Sequence, residues 1–594
     1  MSRNETKKGA AENLLTALLL TALFFAGIIL FYDFTYGVID DPFIATVLNG
    51  AYTGTPDAHV VYIKYPLAWI LKTLFSIAPD INWHFFLLAG CFCVCVFVVV
   101  YRICSSVRKF RNKILLSVLF LLLFWLCMAK MVLTVHYSMC AAVLTGTGLF
   151  YFATIRDNAG KWNRILSYLA VLLMLWTAYA LRARTLFMLL PLGGVLFLYK
   201  FWKASPVFTK KNILRWIFVP VILFVGLGGL ELMHNAQYKS EDWQKFLRFN
   251  DARTTLYDFY RLPEYEKNKD FYESLQISEA RAYMYEKYYL EFQDGVPEDA
   301  LSEIADYRVA EYAETMPAGK RIGETLKALP INLTLKTYAP VNWIAAALFL
   351  FLLVLAAAAR KWKTFLFLWL GILASLIPWL WMIYMGKPTS RVTMGIWAAD
   401  LLFAAAILID HSKEIAGFVE KKKEKIRKAG AEAIRIVLFL VFAAALFAGI
   451  ASDYGSVKGS LQRSIDSGKV RSALEQWCEA RPENLYLCES EIVNGLGFDW
   501  KEVDGSLQNL YWPGGWPAMM PQGREIWARF GIKDIEKAAA EEDNIYIIAF
   551  AQTDMEYWTK FYRETYPEIG LVVEEQPELN GVPFKVYQLQ RQGN

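Results

Sequence analysis

The sequence predicts a polytopic α-helical membrane protein with about eleven transmembrane helices and a C-terminal extracytoplasmic α/β domain. Three observations predict it. Of 594 residues, 56% are hydrophobic and only 20% charged, against about 45–50% and about 25% in a soluble globular domain. The apolar residues come in long runs separated by charged islands, as they do when a chain crosses lipid repeatedly. Lysines and arginines concentrate in every second connection between those runs, as the positive-inside rule requires. A net charge of +5 is small for so long a chain and says little about nucleic acid, which is not expected as a partner.

The first run, 14–31, follows Arg3, Lys7 and Lys8. No small-residue cleavage site precedes Tyr32, so this is a retained span rather than a signal peptide. Further runs cover 83–101, 114–129, 139–155, 165–181, 185–199, 216–232, 341–359, 364–385, 392–409 and 436–451. Each is roughly long enough for a ~30 Å hydrocarbon core at about 1.5 Å per residue. With the N-terminus cytoplasmic, the basic connections all fall inside. They carry Arg102, Arg108, Lys109, Arg111 and Lys113; then Arg156, Lys161 and Arg164; then Lys200, Lys203, Lys210, Lys211 and Arg215. Arg360, Lys361 and Lys363 form the next, and Lys413 with the basic run 421–428 the last. That run suits anionic lipids at the inner surface.

An odd number of spans leaves three long segments outside, 32–82, 233–340 and 452–594. The second reads as helical, with acidic and aromatic residues at helix spacing from Ile277 to Met316, and Pro263, Gly295-Val296-Pro297 and Pro317 break the segment into pieces. The third reads as a mixed α/β domain with strands at 484–488, 544–550, 571–574 and 584–588. The chain thus divides into a membrane module, 1–451, and an outer domain, 452–594. No internal repeat is evident, which weakens a transporter built from inverted halves. Six cysteines lie in or beside spans as small apolar fillers. Cys478 and Cys488 are the pair in the outer domain, where a disulfide and two unrelated thiols both fit.

The opening outer segment is the richest in chemistry. Asp40-Asp41-Pro42 places two carboxylates about nine residues beyond the first span. Adjacent acids repel, and a nearby low-dielectric face disfavours ionising both, so one of them suits a general base. The pair also fits the first turn of a helix. His59, Lys64 and several tyrosines follow. Arg182 and Arg184 stand between the fifth and sixth spans on the outer side, against the positive-inside trend. A guanidinium matches phosphate oxygens in a fork, although arginines there also suit lipid headgroups. The outer turn Gly386-Lys387-Pro388-Thr389-Ser390-Arg391 adds further positive charge.

One span, an outer segment with Asp-Asp, many further spans, a helical outer segment and a C-terminal outer domain together resemble the GT-C superfamily. These are integral membrane glycosyltransferases such as protein O-mannosyltransferases and aminoarabinose transferases. The resemblance covers the topology of about 450 residues; its sharp motif is the acidic pair, which is Asp-Asp where O-mannosyltransferases typically have Asp-Glu. It implies a sugar donor on polyprenyl phosphate and a glycan, lipid or protein acceptor in the cell envelope. It implies Asp40, or failing that Asp41, as catalytic base. Phosphate or substrate binding would fall on Arg182, Arg184 and Arg391, with Lys64 and His59 nearby. Direct displacement would invert the anomeric centre. No cofactor is implied, and a divalent cation held by Asp40 and Asp41 is left open.

The five histidines are dispersed, without zinc-ligand spacing, and no Gly-x-x-x-x-Gly-Lys phosphate loop occurs. The aromatic-rich second segment suits a packed helical cap or a sugar-binding face. The turn Tyr511-Trp512-Pro513-Gly514-Gly515-Trp516-Pro517 offers the same pair of readings. Asp400, well inside the tenth span, suits either a functional intramembrane acid or a hydrogen bond to a neighbouring helix. Two other functions remain in view: a transporter or flippase of lipid-linked glycans, and a membrane-anchored assembly protein.

Overall fold

The computed structural model describes residues 3–156, 160–203, 208–411, 428–501 and 509–591. Helix α1 (Arg3–Phe31) leads to a short strand β1 (Thr35–Tyr36), α2 (Asp40–Asn49) and α3 (Tyr65–Ile77). Then come α4 (Trp83–Ser106), α5 (Phe110–Leu133), β2 (Thr134–Val135), α6 (Tyr137–Thr154), α7 (Lys161–Lys203) and α8 (Lys210–Gln237). A helical segment follows: α9 (Glu241–Arg253), a π-helical turn Thr254–Tyr260, α10 (Lys269–Ser274), α11 (Glu279–Glu286), α12 (Ala300–Thr315) and α13 (Ala318–Leu333). The bundle resumes with α14 (Val341–Ala358), α15 (Trp362–Tyr384) and α16 (Ser390–Asp410), and a last long helix spans Lys428–Glu479.

Among the described residues, eight helices are long and apolar enough to cross a membrane. They account for nine of the eleven apolar runs, because α7 holds two of them. Its arms meet at Arg182, whose backbone is extended (φ −159°, ψ 93°). The run 139–155 is α6, buried along almost its whole length at the centre of the bundle. Small residues let its neighbours close in. A Cβ on Gly395 of α16 would lie 2.4 Å from the Ala142 side chain, and one on Gly148 would lie 3.1 Å from that of Leu175 in α7. Such close contact is how apolar helices gain packing energy where lipid removes the hydrophobic drive. The run 436–451 falls within the last long helix, which continues unbroken past 451 into the sheet region.

The basic connections gather at one end of the bundle. Arg102 Nε donates to Thr154 Oγ1 at 3.0 Å, Lys200 Nζ to the Ile155 carbonyl at 3.1 Å, and Lys113 pairs with Glu12 at 2.9 Å. Lys413 and residues 421–427 of the last basic connection lie outside the described residues.

At the opposite end stands a mixed sheet of order β4-β3-β5-β8-β6. Strands β3 (Leu485–Cys488), β4 (Leu510–Tyr511) and β5 (Ile545–Phe550) run parallel; β8 (Val582–Arg591) is antiparallel to β5 and to β6 (Ile569–Glu575), and β7 (Glu578–Leu579) pairs with β8. The four strands expected from the sequence are β3, β5, β6 and β8. The two-residue β4 is too short to alternate. Cys478 and Cys488 are free thiols buried in one apolar cluster. The sheet region rests on the helical segment: Arg281 on α11 grips Glu536 through two hydrogen bonds of 2.9 and 2.8 Å, and Tyr289 meets Trp558 edge-on with centroids 4.9 Å apart. Interruptions in that segment fall at Pro263, Gly295–Pro297 and Pro317, as the sequence predicts; Gly295 takes a φ of 74° there.

Candidate active site

The opening outer segment is fixed by a two-residue ladder. Strand β1 pairs in parallel with β2, immediately before α6, and Gly37 N–H donates to the Val135 carbonyl at 2.8 Å. This brings α2 to the N-terminal ends of α4 and α6. Asp40 and Asp41 occupy its first turn beside Pro42, where the helix dipole favours anions and a missing N–H costs nothing. The two acids then part company. Asp41 is fully buried, accepting from His84 Nε2 at 3.0 Å and from the Tyr137 N–H at 3.3 Å. It ties three helices together. Asp40 is partly exposed and faces a cavity of about 560 Å³.

Four separated stretches supply that cavity's cations. Arg182 lies at the break in α7, where extended backbone turns its guanidinium over the rings of Tyr62 and Tyr137, at 4.9 and 5.4 Å from their centroids. Arg184 and Lys64 line the same wall, and Arg391 enters from the first turn of α16. Arg253, at the end of α9, donates to Tyr62 Oη at 3.2 Å and to Asn250 Oδ1 at 3.0 Å. Among the described residues, Arg182, Arg184 and Arg391 have no carboxylate within ion-pair distance. Lys64 differs, since it pairs with Glu231 at 2.6 Å. Lys387 pairs with Asp258 on the π-helical turn, which anchors the short turn that carries Arg391.

Burial pushes the Asp40 carboxyl up to about 6, against the pull of Arg391, with Asp41 adding to the rise and Arg182 and Arg253 opposing it. Burial also raises the Asp41 carboxyl, and the His84 hydrogen bond works against it. One carboxylate is therefore poised near neutrality in front of guanidinium groups that have no anion of their own among the described residues. Such an arrangement can bind a phosphate and take a proton beside it.

The cavity thus brings together Asp40, Lys64, Arg182, Arg184 and Arg391 from the sequence-derived set. Asp41 and His59 stand apart from it. His59 Nδ1 bonds Asp57 at 2.7 Å and its ring stacks on Trp243 at 4.8 Å. Gln522 donates to the other Asp57 oxygen at 2.8 Å. Burial would raise the Asp57 carboxyl, but the hydrogen bonds from His59 and Gln522 hold it well below the usual range. With the Asp41 oxygens taken by His84 and Tyr137, a cation at the acidic pair would find Asp40 as its one free carboxylate. Among the described residues, no group of three or more His, Cys, Asp or Glu side chains could hold a metal ion.

Several lining residues had no site role assigned from the sequence: Asn250, Arg253 and Asp258 from the helical segment, and Tyr62 and Tyr137 beneath Arg182. The Trp-rich turn of the sheet region also lines the cavity. Trp512 stacks on Phe43, one turn along α2 from Asp40, with centroids 5.9 Å apart, and Trp516 meets Tyr62 edge-on at 5.6 Å. Glycine is required there, because a Cβ on Gly514 would fall 2.1 Å from the Tyr288 carbonyl oxygen. Glu291 clamps the turn by accepting from Tyr511 Oη at 2.6 Å and Met519 N–H at 2.9 Å, while burial lifts its carboxyl to about 7. Asp400 accepts from Ser375 on the adjoining α15 at 2.7 Å, well away from this cavity.

The Asp41 geometry makes a specific prediction. Asp41→Asn removes a negative charge that raises the proton affinity of Asp40, so the acid limb of activity should move to lower pH. Thermal unfolding should register a loss of about 1–3 kcal/mol from the disturbed buried hydrogen bonds. An acid limb that stays in place would show that Asp41 does not act on Asp40.

No family model matches this sequence, and no curated protein does either. Among solved structures, the crystal structure of ArnT from Cupriavidus metallidurans bound to undecaprenyl phosphate is similar over 97% of each chain, at 10% sequence identity and a TM-score of 0.36. A likeness this loose carries no argument; what the cavity can do follows from its own residues.

Proposed function

We propose that this chain is a membrane glycosyltransferase of the GT-C kind, transferring a sugar from polyprenyl phosphate to a hydroxyl acceptor. The observation that carries the reading is Asp40, a carboxylate held near neutrality, facing Arg182 and Arg391 with no competing carboxylate on either among the described residues. The charge pattern supports an extracytoplasmic cavity. Basic connections collect at the far end of the bundle, so the positive-inside rule puts that end in the cytoplasm, the N-terminus with it, and the sheet region outside.

The chemistry follows from the charges. Arg182 and Arg391 take the donor phosphate and stabilise the negative charge that grows on it as the anomeric carbon–oxygen bond breaks; Arg184 lies beside them. Preorganised donors of this kind are each worth about 10²–10³ in rate. Asp40 accepts the proton of the acceptor hydroxyl as its oxygen attacks the anomeric carbon from the opposite side. A single displacement inverts that centre. Tyr62 and Tyr137 hold the Arg182 plane in place, which shortens its search for the phosphate.

The test is transfer by the purified full chain in lipid vesicles, supplied with a radiolabelled panel of polyprenyl-phosphate pentoses and hexoses and with cell-envelope material as acceptor. Label should appear in an envelope product, with inverted anomeric configuration. Labelled lipid that crosses the bilayer while no product forms would instead assign the chain to lipid-linked glycan transport.

A further inference from the structure

A second cavity, of about 720 Å³, opens beside the first. The π-helical turn Thr254–Tyr260 divides the two: Thr254 and Asp258 line the first, Leu256 and Tyr257 the second. Such turns break the regular hydrogen-bond ladder and persist mainly where function requires them. Tyr288 lines both cavities. Its backbone is left-handed, with φ 70°, and its ring lies against Tyr257 with centroids 4.4 Å apart. The partition is pinned at its middle and its end, by Tyr257 Oη donating to the Tyr285 carbonyl at 2.6 Å and by Arg308 Nε donating to the Tyr260 carbonyl at 3.1 Å.

The lining of the second cavity is polar. Lys267 pairs with Glu264 at 2.6 Å and Arg308 with Glu311 at 2.5 Å. Arg261 and Glu286 line the same space and have no ionic partner among the described residues. Arg261 is held there in left-handed backbone, φ 61°. Tyrosine, guanidinium and carboxylate groups around two leucines give no long slot for an acyl chain. They do present the alternating donors and acceptors that a hydroxyl-rich ligand needs.

We propose that this second cavity holds the acceptor and that the acceptor is a carbohydrate, its reacting hydroxyl reaching Asp40 past Tyr288. The proposal rests on the transferase reading. In the step it serves, the acceptor oxygen bonds to the anomeric carbon and its proton passes to Asp40. The bond from that carbon to the phosphate oxygen breaks, and its electron pair leaves with the polyprenyl phosphate.

The full chain in lipid nanodiscs, mixed with oligosaccharides from cell-envelope glycan, should give saturation-transfer NMR signals from the sugars. Glu286→Gln and Arg261→Gly, the latter better suited to that backbone, should each weaken binding about ten-fold through loss of one charged hydrogen bond. In the transfer assay both variants should raise the KM for the glycan acceptor about ten-fold. Unchanged oligosaccharide binding in both variants, or label that ends on protein or lipid, would overturn the assignment. Binding that both variants lose, with no transfer by the wild type from any donor, would refute the transferase reading and leave the cavity's ligand standing.

Discussion

Asp40→Asn should lower sugar transfer by about 10²–10⁴-fold, the range general-base groups supply, while polyprenyl phosphate still binds. Asn fills the same volume and cannot take a proton. The pH profile makes the assignment specific. The Asp40 carboxyl is lifted to about 6 by burial, and its working form is the ionised one. Activity must therefore fall as pH drops through about 6, to roughly a tenth one unit below it. An ordinary exposed aspartate would hold its activity to about pH 4. The residual rate of Asp40→Asn should lack this limb. Initial rates from pH 4.5 to 8 on both proteins decide the point; a limb that persists in Asp40→Asn belongs to another group.

Arg182→Ala should cost about 10²–10³ in kcat/KM and weaken binding of polyprenyl phosphate itself. Arg182→Lys should recover little. The guanidinium plane lies over Tyr62 and Tyr137, and a lysine offers neither that plane nor a fork for phosphate oxygens. Lys64→Ala makes the contrast, because Lys64 is already neutralised by Glu231 and should matter far less. Equal losses in Arg182→Ala and Lys64→Ala, measured by kinetics and by direct lipid binding, would mean that net charge rather than a built phosphate site holds the donor.

The spans were legible because lipid demands long apolar runs, and strands β3, β5, β6 and β8 because short apolar and aromatic runs stand out between turn and charged residues. Arg182 was legible as an outer cation that the positive-inside rule does not expect, and Arg391 as further positive charge in a short outer turn. Asp40 and Asp41 could not be told apart. Adjacent positions on a helix point about 100° from each other, and only the packing of α2 on α4 and α6 decides which one meets His84 and which meets the cavity. His59 sat in a stretch dense with polar and aromatic groups, yet Asp57 and Trp243 claim it. Arg253, Asn250 and Asp258 lay in a segment whose role the sequence left open, for a different reason. Their convergence with Tyr62 spans almost two hundred residues and depends on a π-helical turn, and neither leaves a mark in local periodicity. The Trp512–Trp516 turn was visible as a motif, but its place against Phe43 depends on how the sheet region seats on the bundle.

Everything in this mechanism requires one anion to meet Arg182 and Arg391 within reach of Asp40. A structure of the full chain in nanodiscs with polyprenyl phosphate bound tests that directly. The phosphate should lie within about 3 Å of both guanidinium groups, on the Asp40 side of Tyr62, with its chain leading into lipid. A phosphate at the basic end of the bundle, or one held without Arg182 and Arg391, would contradict the account.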